Sequence, residues 1–345
     1  MHPTLYGLFL ITLFTSTLIT MSSTHWLLAW MGLELNTLAM LPLIAHPYHP
    51  RATEATTKYF LAQTAASALL LFSAASIAWN TGQWAISCPA PTLSTTTLTT
   101  AITMKLGLAP LHFWYPEVLQ GATMTTALII STWQKFAPLA LMYMTYHIMS
   151  PHLMLALGIC SITVGGCAGL IHTQLRKIMA YSSIGHMGWL FVALTLDPAL
   201  ASLTLLTYTA TTTTVFIAFS HANMKTVTDI STAWLHTPAY AMLTALTLLS
   251  LGGLPPLTGF LPKWLIIKDL LLDHLAPVAI ALALLSLPAL YFYVRLTYFT
   301  TLTTTPTTHT KTLLWRLNHT PPHATFTTTL ATLALPLTTA LYQTM

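Results

Sequence analysis

Charge is what this sequence has least of: Asp, Glu, Lys and Arg together make up 6% of its 345 residues. Soluble domains carry about 25%, so a water-exposed surface is excluded. Hydrophobic residues make up 54%, and the chain reads as an all-α polytopic membrane protein. The formal charge of +5 rests on 12 scattered Lys and Arg, which leaves no clustered basic footprint for nucleic acid. Cysteine is scarce as well. Cys88, Cys160 and Cys167 form no C-x-x-C pair, so neither a cysteine-ligated iron–sulfur cluster nor a zinc site is expected. The glycine-rich VGGCAG at 164–169 lies mid-span and cannot be the strand-to-helix turn of a dinucleotide site. Its Gly165 and Gly169 suit a close helix-packing face instead. No cofactor of its own is therefore expected for this chain, and no redox chemistry within it.

A basic presequence and a small-residue cleavage site are also lacking. MHPTLYGLFL is read as the start of the first membrane span rather than a removed signal, which implies synthesis beside the chain's own membrane.

What is present is a series of apolar runs. A spanning helix needs about 20 such residues, and eleven candidates meet this: 3–22, 24–45, 52–79, 95–119, 122–147, 151–171, 177–196, 198–221, 239–272, 275–299 and 323–343. Two are too proline-rich to be continuous helices. The fourth carries Gly107, Pro110 and Pro116; the ninth carries GGLPPLTG, with Gly253, Pro255 and Pro256. The polar segment 300–322 is expected to lie on one membrane surface. Connections after even-numbered spans hold Arg51, Arg176 with Lys177, Lys225 with Asp229, and Lys311 with Arg316. Those after odd-numbered spans hold no Lys or Arg, only Asp197 and Asp273. The positive-inside rule then puts the N-terminus inside and the C-terminus outside.

The pattern G-L-x-P-L occurs at 107–111 and again at 253–257, once in each broken span. Five helices separate corresponding elements, and an odd number inverts the second copy. Inverted repeats with broken helices are a transporter pattern. The chain is accordingly divided into a first five-helix repeat (1–147), an inverted second repeat (148–299), and a surface segment with the last span (300–345). Chance recurrence of so short a motif is the competing explanation.

Four ionisable residues fall deep within spans: Glu34, Lys105, Lys135 and Lys263. A charge at the bilayer centre costs at least ~2.5–3.5 kcal/mol, and a lysine escapes by snorkelling only near a helix end. Two readings are open. Structural ion pairs would only fix helix packing; proton sites would titrate. Burial disfavours an ammonium and a nearby carboxylate favours it, so moving or neutralising the carboxylate switches a lysine between holding and releasing a proton. A broken helix adds unpaired backbone groups and room for water. His112, just after the first break, and His186, in SSIGHMGW, can exchange protons near neutral pH or serve as hydrogen-bonded packing residues. Glu117 at a span end reads as a cap or an interfacial ion-pair partner.

GLELNTLAMLPLI (32–44), ATEATTKYFLAQTAAS (52–67), MKLGLAPLHFWYPEVLQG (104–121) and LLSLGGLPPLTGFLPKW (248–264) resemble the mitochondrial NADH–ubiquinone oxidoreductase chain 2 family. These are antiporter-like membrane subunits of respiratory complex I. The resemblance covers nearly the whole chain. It implies a place in the mitochondrial inner membrane as a multi-pass protein, with the N-terminus in the matrix and the C-terminus in the intermembrane space. It also implies roles by position. Glu34 matches the family's membrane glutamate, paired with the lysine matched by Lys105; Lys135 matches its linking lysine and Lys263 its terminal lysine; His112 and His186 match histidines of its central polar axis. Contact between Glu34 and Lys105, direct or through one water, is expected. Bacterial and related antiporter-like subunits carry three helices before the span matched by 3–22. Their absence fits animal members and leaves one flank dependent on neighbouring subunits. No long lateral helix follows the last span.

The resemblance implies a core subunit of the proton-pumping NADH:ubiquinone reductase, an enzyme by membership and without a redox centre in this chain. NADH, flavin, iron–sulfur clusters and ubiquinone belong to other parts of the complex. The implied partners are other complex I membrane subunits, sister antiporter-like subunits above all, together with membrane lipids and no nucleic acid. Two rival readings are a free-standing cation/proton antiporter, which the purified chain would reveal by transporting ions alone, and a non-conducting scaffold, which would pump normally after its central charges are neutralised.

Overall fold

A computed structural model describes residues 2–46, 48–89, 91–222, 224–233, 238–301 and 328–329. Among the described residues helices are the regular structure and there is no strand, only isolated bridges between His25 and Ala85 and between Gln174 and Thr226. In chain order the helices are α1 (Pro3–Ser22), α2 (Trp26–Ala45), α3 (Pro50–Thr81), α4 (Thr92–Leu106), α5 (Trp114–Gly121), α6 (Met124–Ser131), α7 (Phe136–Thr145), α8 (Pro151–Ile171), α9 (Leu175–Leu196), α10 (Pro198–His221), α11 (Val227–Ala233), α12 (Pro238–Gly252), α13 (Phe260–Leu272) and α14 (Ala276–Thr301). Seven of them, α1, α2, α3, α8, α9, α10 and α14, are long and apolar enough to cross a membrane. The segment 302–327 and most of the eleventh expected span, with Lys311 and Arg316, lie outside the described residues.

Local chemistry sets the helix ends. Proline opens α1 and α3, where its missing N–H costs nothing. The Asp197 carboxylate caps α10 by accepting from Ala199 N at 3.0 Å. The chain is rich in threonine, and in an apolar span each hydroxyl needs a partner. Thr17, Thr20, Thr99, Thr204 and Thr214 find theirs in a carbonyl of the preceding turn. Leu5, Leu8, Ile11 and Phe14 on α1 stay exposed, a surface suited to hydrocarbon or a neighbouring subunit rather than to water.

The chain divides into two compact units, residues 1–161 and 162–345. Within the first, α1 packs on α2, α2 on α3, α4 and α5 on α3, and α7 on α1, α2 and α4. Glycines permit the close approaches: a β-carbon on Gly32 would lie 2.5 Å from Thr20 Cγ2, and one on Gly121 would lie 2.6 Å from the Arg51 carbonyl oxygen. Within the second unit α10 packs on α9 and α12, α12 on α14, and α13 on α9, α10 and α14. Gly165 meets the backbone of Gly185 and Tyr181, and Gly169 meets the Phe292 ring. The expected small-residue face is there.

The span expected at 95–119 is α4 and α5 separated by a break, and that at 239–272 is α12 and α13 likewise. Both breaks open in the same way. Gly107 (φ 73°) and Gly253 (φ 83°) adopt the left-handed conformation that glycine takes without a side-chain clash. Leu108 N donates to Thr103 O and Gly107 N to Met104 O; Leu254 N donates to Leu249 O and Gly253 N to Ser250 O. That is the Schellman arrangement in both places.

The span expected as one helix over 122–147 is corrected. It consists of α6, a 3₁₀ turn at Trp133–Lys135, and α7, so a third span is irregular where two discontinuous ones were expected. Pro138 supplies the reason: it has no N–H for the Gln134 carbonyl and its ring crowds that oxygen. The result places Lys135 on the turn itself.

Candidate proton sites

In the first unit α4 ends in its break just after Lys105, leaving last-turn carbonyls with lone pairs that no regular helical bond fills. Neutral donors take them: Gln63 Nε2 donates to Lys105 O at 3.3 Å and Trp114 Nε1 to Met104 O at 3.0 Å. The Lys105 side chain is buried, and its Nζ has no hydrogen-bond partner. Lys135, buried on its 3₁₀ turn, holds its Nζ 5.2 Å from the centroid of the Tyr115 ring, within cation–π reach. Both lysines line one cavity together with Asn36, Tyr59, Gln63 and Gln134. Gln134 Nε2 donates to Asn36 Oδ1 at 3.1 Å. The cavity leaves about 20 Å³ open to the centre of a water molecule, where a single water needs roughly 10–15 Å³.

Of the two forms of Glu34–Lys105 contact expected, the direct ion pair is not formed. No ion pair joins it to Lys105 among the described residues: its Oε2 is buried without a hydrogen-bond partner, as is Lys105 Nζ. Helical geometry keeps Glu34 off the wall of the lysine cavity. Leu33, Asn36 and Thr37 line the cavity at the i, i+3, i+4 spacing of one helix face, and Glu34 falls beside that face. His112 is buried in the break, with Nδ1 3.3 Å from the Pro110 carbonyl, and is not among the residues lining the lysine cavity.

In the second unit a lysine itself takes the carbonyls that the break leaves over. Lys263 Nζ donates to Gly252 O at 3.0 Å and approaches Leu251 O at 3.5 Å. The negative end of α12 thus holds the ammonium, and Asp269 plays no part in that contact. His186 and Lys263 line two cavities in common: one reaches α10 at Thr204, Tyr208 and Thr211, the other reaches α8 and α14 at Gly165 and Tyr293. The His186 ring lies 5.6 Å from that of Tyr208, and its Nε2 is 3.3 Å from Tyr293 Oη.

Sequence reasoning centred on charge passed over the neutral polar residues of these centres: Asn36, Tyr59, Gln63, Gln134, Tyr208 and Tyr293. Their signal was available, since amides inside apolar spans are themselves costly. It also passed over Lys58. That residue bridges Glu54, one turn away on α3, and Glu117 on α5, the latter at 2.6 Å, which bears out the ion-pair reading of Glu117.

An all-helical polytopic fold with buried lysines at broken helices defines an antiporter-like membrane subunit. Residues 23–288 match the family model described as NADH:quinone oxidoreductase/Mrp antiporter, TM, and residues 290–342 match that of the NADH dehydrogenase subunit 2 C-terminus. The chain is 51% identical over 316 residues to NADH-ubiquinone oxidoreductase chain 2 of Xenopus laevis, covering 92% of each. It is 49% identical over 345 residues to that of Carassius auratus, covering 99% of each. The chain belongs to the NADH-ubiquinone oxidoreductase chain 2 family. Among solved structures it is similar to a chain of respiratory complex I from Thermus thermophilus with bound aureothin, with a TM-score of 0.84 and 25% identity, covering 98% of this chain and 77% of that one. A chain of the Mrp complex from Dietzia sp. DQ12-45-1b shares the fold, with a TM-score of 0.77 at 16% identity, covering 84% of this chain and 59% of that one.

Proposed function

We propose that this chain carries protons across the mitochondrial inner membrane as a core subunit of NADH:ubiquinone oxidoreductase, driven by electron transfer elsewhere in the complex. The observation that carries the reading is the pair of buried lysines, Lys105 and Lys135, on the wall of one polar cavity. A buried ammonium without a hydrogen bond is costly, so Lys105 holds a proton only while Glu34 or water compensates the charge. When Glu34 is neutralised or drawn away, Lys105 releases its proton into the cavity. Lys135, stabilised as a cation by the face of Tyr115, is the next acceptor. In the second unit the carbonyls at the end of α12 hold the Lys263 ammonium, and a shift of the break loosens that hold. His186 exchanges protons with Lys263 through water in the shared cavities.

The finer architecture in this proposal has eleven spans, with two inverted five-helix repeats over 1–147 and 148–299. Identical Schellman caps at the two breaks support the repeat. The N-terminus faces the matrix. Sister antiporter-like subunits flank the chain, and NADH, flavin, iron–sulfur clusters and ubiquinone are bound by other subunits. The test is Lys105→Met in the assembled enzyme, which keeps similar bulk and removes the titrating amine. Proton transport coupled to NADH oxidation falls while assembly persists. Normal coupled transport would instead favour a non-conducting scaffold.

A further inference from the structure

Tyr293 stands at the meeting point of the second unit's polar groups, although its sequence context, LYFYVRL, shows only an aromatic run on α14. Its side chain is 1% exposed. A buried tyrosine usually finds one hydrogen-bond partner for its hydroxyl; here that partner is an imidazole, His186 Nε2 at 3.3 Å. Ser182, one helical turn before His186, is a second hydrogen-bonding side chain at the same hydroxyl. Ser182 Oγ itself donates to Met179 O at 2.8 Å, which fixes the serine side chain beside the tyrosine. When His186 carries a proton on Nε2, the Tyr293 hydroxyl oxygen is its acceptor. On its other side the tyrosine lies against the break: a β-carbon built on Gly252 would sit 3.6 Å from Tyr293 Cβ, and the Gly252 carbonyl receives Lys263 Nζ.

We propose that Tyr293 is a proton-relay residue, taking protons from His186 Nε2 and handing them to water in the cavity that both residues line with Gly165, Ser182 and Ser286. The inference rests on the proton-carrying role of the chain. The imidazolium N–H at Nε2 breaks as an O–H bond forms on Tyr293 Oη. The proton already on Oη leaves for a water molecule in the cavity, so the phenol remains neutral. Ser182 positions the hydroxyl for this hand-over.

The experiment compares assembled complex I carrying Tyr293→Phe with the same enzyme carrying Lys263→Met, reconstituted in vesicles. The relay predicts that Tyr293→Phe slows NADH-driven proton transport at least about tenfold, within what a positioned proton-transfer group contributes. It also predicts a larger solvent deuterium isotope effect, with NADH oxidation by an acceptor that bypasses ubiquinone unchanged. Wild-type transport and isotope effect in Tyr293→Phe, beside slowed Lys263→Met, would overturn the relay and leave the lysine reading standing. Wild-type transport in Lys263→Met would overturn the reading beneath it. If Tyr293→Phe does not assemble, Ser182→Ala decides: slower transport with a raised isotope effect supports the relay, and unchanged values refute it.

Discussion

Replacing Gly107 by alanine tests how tightly the first break is built. At φ 73° an L-residue in the left-handed region costs roughly 1–2 kcal/mol. Crowding adds to this. The new β-carbon would lie 3.0 Å from Tyr115 Cβ, 3.2 Å from Tyr115 Cγ and 3.4 Å from Trp114 Cζ2. The tyrosine atoms sit at the base of its side chain, so relief requires the start of α5 to move. Overpacking of that kind typically costs about 1–3 kcal/mol, for a sum of about 2–5 kcal/mol. Gly82 supplies the control: it has φ 71° but nothing within 4 Å of a built β-carbon, so Gly82→Ala carries the backbone term alone. The assay is the thermal midpoint for loss of assembled complex on native gels, with proton transport measured below that midpoint. Gly107→Ala should lower the midpoint more than Gly82→Ala. It should also slow transport, because the displaced Tyr115 ring is the one facing Lys135 at 5.2 Å. Equal midpoints for the two variants would refute the crowding argument.

Three further outcomes follow from the same geometry. Gly165→Ala drives a methyl group into the Gly185 nitrogen at 2.6 Å and the Tyr181 carbonyl at 2.7 Å; backbone cannot rotate aside, so assembly should fall by more than with Gly7→Ala, where the space is open, and equal assembly would contradict the packing. Gln134→Leu leaves the buried Asn36 Oδ1 without its 3.1 Å donor, a loss of about 1–3 kcal/mol visible as a lower thermal midpoint; an unchanged midpoint would mean that the bond contributes nothing net. Cysteines introduced at Arg51 and Lys177 should react with an impermeant reagent from the matrix side alone, and labelling of either from the intermembrane space would reverse the topology.

Much of this was legible in the sequence because the membrane makes charge and backbone breaks expensive. Lys105, Lys135 and Lys263 stood out as ammonium groups in apolar runs, and the G-L-x-P-L motifs marked the two Schellman-capped breaks. The irregularity at Lys135 was less visible, because a single proline inside a membrane span is often tolerated and Pro138 acts on a carbonyl one turn earlier. Glu34 shows a different limit. Its presence in the span was plain, but its offset from the face formed by Leu33, Asn36 and Thr37 depends on which side of α2 meets α3 and α7. Tyr293 and Gln134 carry no formal charge, and only their contacts distinguish them from packing residues.

The central claim is that buried amines at the broken helices titrate during turnover. It is tested most directly by the number of protons moved per NADH oxidised in vesicles bearing assembled enzyme with Lys263→Met. Loss of the ammonium held at Gly252 should lower that number while the complex stays intact. An unchanged number would remove Lys263 from the proton path and with it the role assigned to the second break.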